Sequence, residues 1–295
     1  MLSFLPFTFC LLPFFTFDFI LVGKLNNKVA IITGSTRGIG KAIAAAFVRE
    51  GARVVITSAR RSSVDKALQE FPGENVYGHV CDVSDYDEVE KLVLSTVDKF
   101  GGLDIFINNA GISDTFYNIT DSEPLEWGRI IDTNLKGTYY GCRAALKYFL
   151  KTGRPGKIIN MAGSGTDKKS NTPFISAYGS SKAAIARFTF AVAEEYRQSP
   201  VSIMLLHPGL VRTEMIQSIS LTPEMERQQK TFQKIKDIFS QPPSVAASLA
   251  VKMCSDQGKC KSGDYVSALD GKRKKWLLFS YPFRKLLKKI DYSSY

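Results

Sequence analysis

At 295 residues and 44% hydrophobic, the chain is long enough to bury one large core, and its net charge of +11 is unevenly spread. Residues 271–295 hold Lys272, Arg273, Lys274, Lys275, Arg284, Lys285, Lys288 and Lys289 against Asp291 alone, so basicity belongs to the tail and the body gives no reason to expect nucleic acid. The five cysteines are scattered without a Cys-x-x-Cys, and neither His79 nor His207 has a second ligand type at metal spacing, which argues against a disulfide framework or a metal centre and for a reducing, cytoplasmic setting.

Residues 1–23 form a separate hydrophobic segment, rich in Phe and broken by Pro6, Pro13 and Asp18. It lacks the positive start and small-residue cleavage site of a secretory leader. Its length suits a membrane anchor, and Lys24 and Lys28 after it would leave the rest of the chain on the cytoplasmic face. From residue 24 to 271 short β-branched strands alternate with helices. Strands are expected over 29–33, 53–57, 75–80, 104–108, 157–160 and 201–206, and helices over 41–50, 64–70, 85–99, 125–151 and 177–197. This alternation predicts an α/β fold of one domain, a doubly wound parallel sheet covered on both faces. Residues 213–243 interrupt the pattern before a helix at 244–253 and a closing strand near 264–268.

The turn after the first strand reads Gly34-Ser35-Thr36-Arg37-Gly38-Ile39-Gly40. Glycines between a strand and a helix let backbone N–H groups approach a pyrophosphate, which the helix N-terminus also favours. The second strand ends in Thr57-Ser58-Ala59-Arg60-Arg61, with no carboxylate to select a ribose diol. With Arg37 close by, the guanidinium groups match a 2′-phosphate, so NADP(H) is favoured over NAD(H).

Tyr178 and Lys182 lie four apart in an Ala-rich stretch and so share one helix face. A free Tyr titrates near ~10 and a free Lys near ~10.4, and an ammonium beside the phenol is expected to draw the Tyr down toward the working range. The pair is thus a candidate acid/base group.

These residues, with Cys81-Asp82-Val83, Asn108-Asn109-Ala110-Gly111, Asn134 and Pro208-Gly209 in the same order and spacing, resemble the short-chain dehydrogenase/reductase family from about Leu25 to Gly271. The resemblance implies a single-domain Rossmann fold of strand order 3-2-1-4-5-6-7 and hydride transfer between nicotinamide and a carbonyl or alcohol. It implies that Asp82 and Val83 contact the adenine and that Asn109, with Ala110 and Gly111, supports the sheet and lines the cofactor. It further implies that Asn134 bends a helix and holds a relay water, and that Pro208, Gly209 and Thr213 face the carboxamide. Tyr178 would be the proton donor and Lys182 the ribose ligand. A homodimer or homotetramer through the helices at 125–151 and 177–197 is the family expectation.

One position departs from that pattern. Reading on from the fifth strand puts Gly163 where the family carries a serine, while counting back from Tyr178 gives Gly165; Ser164 lies between and is taken as the hydroxyl, with Thr166 a step further. Met215, Ile216, Ile219, Leu221 and Met225, with Phe174 and Ile175 opposite, suggest an apolar cover and a small, apolar carbonyl or alcohol substrate. The segment 272–295 interleaves basic residues with Trp276, Leu277, Leu278, Phe279, Tyr281 and Phe283, a composition suited to a membrane surface. Two other functions are kept beside the carbonyl reductase: a 3-oxoacyl thioester reductase, and a catalytically weak NADP(H)-binding sensor or scaffold at a membrane.

Overall fold

The computed structural model describes residues 23–71, 73–113, 117–167, 171–211 and 226–286, with residues 226–232 described through their backbone alone. The hydrophobic segment 1–22, Thr213, the apolar cover residues from Met215 to Met225, and Lys288 and Lys289 lie outside them. Among the described residues no helix is long and apolar enough to cross a membrane.

Every residue of β1 (Val29–Ile32) is buried, and the run can be apolar throughout because both faces of the sheet are covered. Ala30 and Ile32 point to one side, with Ile43, Phe47, Ala247 and Ala250. Val29 and Ile31 point to the other, with Val89, Leu92, Ala145 and Phe149. The first layer holds α1 (Gly38–Arg49) and α8 (Pro243–Cys254); the second holds α3 (Tyr86–Phe100) and α5 (Gly137–Thr152), with α6 (Ser176–Glu195) beyond. The remaining strands of the main sheet are β2 (Arg53–Ser58), β3 (Val76–Val80), β4 (Ile105–Asn108), β5 (Gly156–Met161), β6 (Val201–His207) and β9 (Tyr265–Ser267).

The sheet runs β3-β2-β1-β4-β5-β6-β9 with every pairing parallel. This is the expected order; the last strand is ninth in the chain only because a short ladder of β7 (Leu210–Val211) and β8 (Ser240–Gln241) intervenes. Ile32 pairs with both Ile56 and Ile107, so β1, β2 and β4 point their carboxyl ends the same way, β2 running on to Ser58 and β4 to Asn108. Chain order reverses between β1 and β4, and the crevice beyond their carboxyl ends is where such sheets bind ligands.

Local chemistry sets the element ends. Asp85 accepts from the backbone N–H groups of Asp87 and Glu88 to cap α3, and Gly101 at φ 78° stops it. Helix α2 (Arg61–Leu68) begins earlier than the periodicity over 64–70 suggests. The expected helix over 125–151 is α4 (Pro124–Ile131) and α5 joined by a π turn at Asp132–Lys136, in which the Gly137 N–H reaches back five residues to the Asp132 carbonyl. Helix α7 (Glu226–Phe239) precedes β8, and α9 (Gly271–Leu286) follows β9. Helix α9 takes up the first part of the basic segment 272–295. It docks on α7 through buried Leu277 and through Arg284, whose Nη2 donates to the Ile238 carbonyl at 2.9 Å.

Candidate active site

A cleft of about 410 Å³ opens at the carboxyl ends of β1, β2 and β4. Of the residues expected to hold a cofactor, Gly34, Arg37, Gly38, Ile39, Gly40, Ser58, Arg60, Asp82, Val83, Asn109, Ala110, Gly111, Tyr178, Lys182 and Pro208 line it. Sequence reasoning missed Thr36, Ala59, Cys81, Ser84, Ile112, Arg129, Thr133, Met161 and Ala162, mostly motif neighbours whose backbone walls the cleft. Arg129 carried no signal. It sits two turns into a helix whose approach to the cleft only the fold shows, with its guanidinium on Glu126 at 2.7 Å.

At one end the site is built mainly from backbone. Gly34 has φ +60°, and a side chain there would stand 2.8 Å from the Ala110 Cα; only glycine serves both the turn and the close approach. Asn109 Nδ2 donates to the carbonyls of Thr33 and Gly34 at 2.8 and 3.0 Å, tying the β4 loop to the turn. The Arg37 side chain makes no cap on the N-terminus of α1, whose first residues Gly38, Ile39 and Gly40 line the cleft in the arrangement that suits a phosphate. Ser35 does not line the cleft. Its buried hydroxyl donates to the Ile32 carbonyl and accepts from the Thr57 N–H, stapling β1 to β2.

Beyond that turn, the exposed Arg60 borders the cleft beside Ser58, whose hydroxyl accepts from the Arg60 N–H at 3.4 Å; Arg61, the first residue of α2, does not border it. Asp82 uses Oδ1 to hold the Ser84 N–H and hydroxyl, which shapes this wall of the cleft, and Val83 is buried against Gly137. The glycine cradle, uncapped helix end and cationic rim fit a nicotinamide dinucleotide.

The far end is built from side chains. Tyr178 and Lys182 lie on the first turns of α6, and Lys182 Nζ donates to the Met161 carbonyl at 3.0 Å while standing 5.6 Å from the Tyr178 ring centre. Burial pushes the Tyr178 hydroxyl up to about 12 and the Lys182 ammonium down to about 8. The expected lowering of the Tyr by its neighbour is therefore not what the folded chain produces. Desolvation outweighs an ammonium that is bonded elsewhere and sits over the ring.

Asn134 is fully buried and does not line the cleft. Its side-chain amide grips the backbone of Ile112 twice, accepting from the N–H at 2.8 Å and donating to the carbonyl at 2.9 Å, and also donates to Ser181 Oγ at 3.1 Å. Ser181 in turn donates to the Tyr178 carbonyl at 2.7 Å. The π turn thus couples the β4 loop to α6, while the Asn134 carbonyl accepts the Thr138 hydroxyl at 2.6 Å.

Ser164 is exposed and outside the cleft. It is Gly163 that faces Tyr178: a Cβ built there would run into the Tyr178 hydroxyl and approach Lys182 Cγ at 3.1 Å. Thr166 folds back on Gly163, its hydroxyl donating to the Gly163 carbonyl at 2.7 Å and accepting from its N–H at 3.0 Å. Gly209, at φ +77°, packs on Leu269 and Gln241 behind Pro208. The Gln241 Nε2 donates to the Ala268 carbonyl, and its buried Oε1 has no partner among the described residues.

The chain matches the family model for short chain dehydrogenase over residues 28–224. It is 34% identical to dehydrogenase/reductase SDR family member 4 of Bos taurus, over 84% of this chain and 88% of that protein. It is 32% identical to the NADP-dependent (R)-specific alcohol dehydrogenase of Lentilactobacillus kefiri, over 81% and 94% respectively. Among solved structures, the 3-ketoacyl-(acyl-carrier-protein) reductase of Brucella melitensis complexed with NADH superposes with a TM-score of 0.74 at 28% identity, covering 85% of this chain and 99% of that one. The chain therefore belongs to the short-chain dehydrogenase family, nicotinamide-dependent oxidoreductases that act on small molecules.

Proposed function

We propose that this protein is an NADPH-dependent carbonyl reductase, reversible as an alcohol dehydrogenase, with Tyr178 as its general acid. The observation that carries the reading is one cleft with Arg37, Ser58 and Arg60 at one end and Tyr178 with Lys182 at the other. Guanidinium groups hold a 2′-phosphate, and no carboxylate closes β2 to hold a ribose diol instead. The glycine turn and the α1 N-terminus hold the pyrophosphate. When bound, the nicotinamide supplies or accepts the hydride.

Tyr178 holds its proton at neutral pH because burial raises its pKa, and it passes that proton to the carbonyl oxygen as the alcohol forms. In the reverse direction the same proton must first leave the buried phenol, so alcohol oxidation is expected to gain with rising pH. Lys182 lies between the Met161 carbonyl and the cleft, where it orients the ribose and meets any phenolate with positive charge. Asn134 fixes the distance between the two walls.

Spectrophotometric NADPH oxidation over a panel of carbonyl compounds, with Tyr178→Phe in parallel, tests the reading. Turnover that vanishes in the variant while NADPH still binds supports it. The panel includes acyl-carrier thioesters, since the structural relative named above is a 3-ketoacyl reductase. A second reading, a weakly catalytic NADP(H)-binding sensor, draws on Gly163, which brings no hydroxyl to the Tyr178 oxygen. Tight NADPH binding with no Tyr178-dependent turnover on any compound would select it. We also infer association of copies through α5 and α6, whose outward faces expose Tyr139, Leu150 and Phe190; light scattering of the purified chain reads this directly.

A further inference from the structure

The helix α9 has two faces of opposite character. Leu277 is 3% exposed and Arg284 bonds across to the Ile238 carbonyl, and these residues, seven apart, mark the side that docks on α7. Trp276, Phe279, Phe283 and Leu286 follow one another at helical spacings of three and four and are 54%, 77%, 61% and 81% exposed. They form one apolar stripe turned away from the body. Phe279 and Phe283 stack at 6.3 Å between ring centres, and the Arg273 guanidinium lies over Trp276 at 5.4 Å. Lys272 and Lys275 stand one turn before Trp276 and Phe279, on the same side and exposed.

Four large apolar side chains in one stripe exceed the scattered exposure ordinary on a monomer surface. Their partner must tolerate cations, because Lys272, Arg273, Lys274, Lys275, Arg284 and Lys285 all lie on this helix and no acidic residue does. A second copy of the chain would bring the same cations face to face. An anionic lipid surface offers the complement to both features: acyl chains for the aromatic stripe and headgroup charge for the lysines around it. Because α9 is anchored to α7 by its opposite side, it lies along such a surface with the domain riding above.

We propose that α9 is a membrane-docking surface that binds anionic lipid through Trp276, Phe279, Phe283 and Leu286 and the lysines flanking them. This does not depend on the reductase assignment. The test is co-sedimentation of the full chain with phosphatidylcholine vesicles, with and without about a third phosphatidylserine. Binding is expected to be tighter with the anionic lipid than with phosphatidylcholine alone, where the hydrophobic segment 1–23 can still insert, and the anionic increment should fall with salt. The triple variant Trp276→Ser, Phe279→Ser, Phe283→Ser should weaken it by about tenfold or more while turnover of a water-soluble carbonyl stays unchanged. Lys272→Glu with Lys275→Glu should weaken it comparably.

In a Trp127→Phe background Trp276 is the sole tryptophan, and its emission should shift to the blue on anionic vesicles. The proposal is overturned if the wild-type chain ignores these vesicles, if the triple variant binds as well as wild type, or if Trp276 emission does not move. It is also overturned if the triple variant dissociates a lipid-free oligomer seen by light scattering, which would assign the stripe to a second copy.

Discussion

At the glycine-turn end of the cleft the chain contributes mostly backbone: glycines without side chains, the start of α1, and the carbonyls of Thr33 and Gly34, to which Asn109 ties the β4 loop. At the chemical end it contributes two side chains whose behaviour depends on how deeply they are buried and what else they touch. At the first end Gly34 and Gly40 tolerate no added atom, because a Cβ there would meet neighbouring main chain at 2.8 and 2.5 Å. The second responds to environment, so the same Tyr and Lys would titrate differently in a wetter site. Under the proposed function, binding is a matter of shape and catalysis a matter of solvation, and the two ends should fail differently when altered.

The sharpest break is Tyr178→Phe, which removes the transferable proton and should lower turnover by about a thousandfold while NADPH titration by fluorescence stays near wild type. Lys182→Met should cost about a hundredfold in turnover, within the range for a group that assists proton transfer, yet should not lower thermal stability at pH 7. Burial depresses the Lys182 pKa to about 8, so below that pH the folded state carries the full cost of a desolvated ammonium. Between pH 8 and the ordinary lysine value the unfolded chain holds a proton that the folded one has shed, and wild-type stability rises relative to the variant. Melting curves at pH 7 and pH 9.5 should therefore show the wild type gaining on Lys182→Met.

At the other end, Arg60→Ala should weaken NADPH by about tenfold or more, the range for loss of a charge-assisted hydrogen bond, and leave NADH unchanged. Equal losses for both cofactors would mean that Arg60 does not read the 2′-phosphate. The smallest effect belongs to Gly163. Its missing Cβ leaves the space that the Tyr178 hydroxyl fills, so Gly163→Ala should displace the tyrosine and reduce kcat by about tenfold, some 1.4 kcal/mol, without changing cofactor affinity. Gly163→Ser should do no better. A serine variant faster than wild type would show that Tyr178 yields readily and that the chain simply lacks the hydroxyl.

The strand order followed from the family resemblance. The strands, the glycine turn and the Tyr178–Lys182 face were legible because each rests on a local rule: a short apolar run, period 3.6, or a conformation that only glycine adopts. The hydroxyl was not. Ser164 and Gly163 are adjacent in a loop, and no local rule says which of them turns inward; the path of the loop over α6 decides, and it presents Gly163. Ser35 misled for a related reason, since a small polar residue in a phosphate turn looks like a ligand until its hydroxyl is seen stapling two strands. The break in the helix over 125–151 was implied by the family resemblance at Asn134 rather than by its own periodicity, because a π turn inserts one extra residue without disturbing composition.

By itself, then, the sequence determined the alternation of strands and helices, the glycine turn and the shared helix face of Tyr178 and Lys182, since these follow from short-range patterns that backbone geometry permits in few ways, while the strand order came through the family resemblance. Only the tertiary structure decided the solvation of Tyr178 and Lys182, the glycine that faces them, the clamp that Asn134 makes on the β4 loop, and the side of α9 that remains uncovered. Each of these depends on which distant segment packs alongside, and burial, unlike periodicity, belongs to no stretch of chain taken alone.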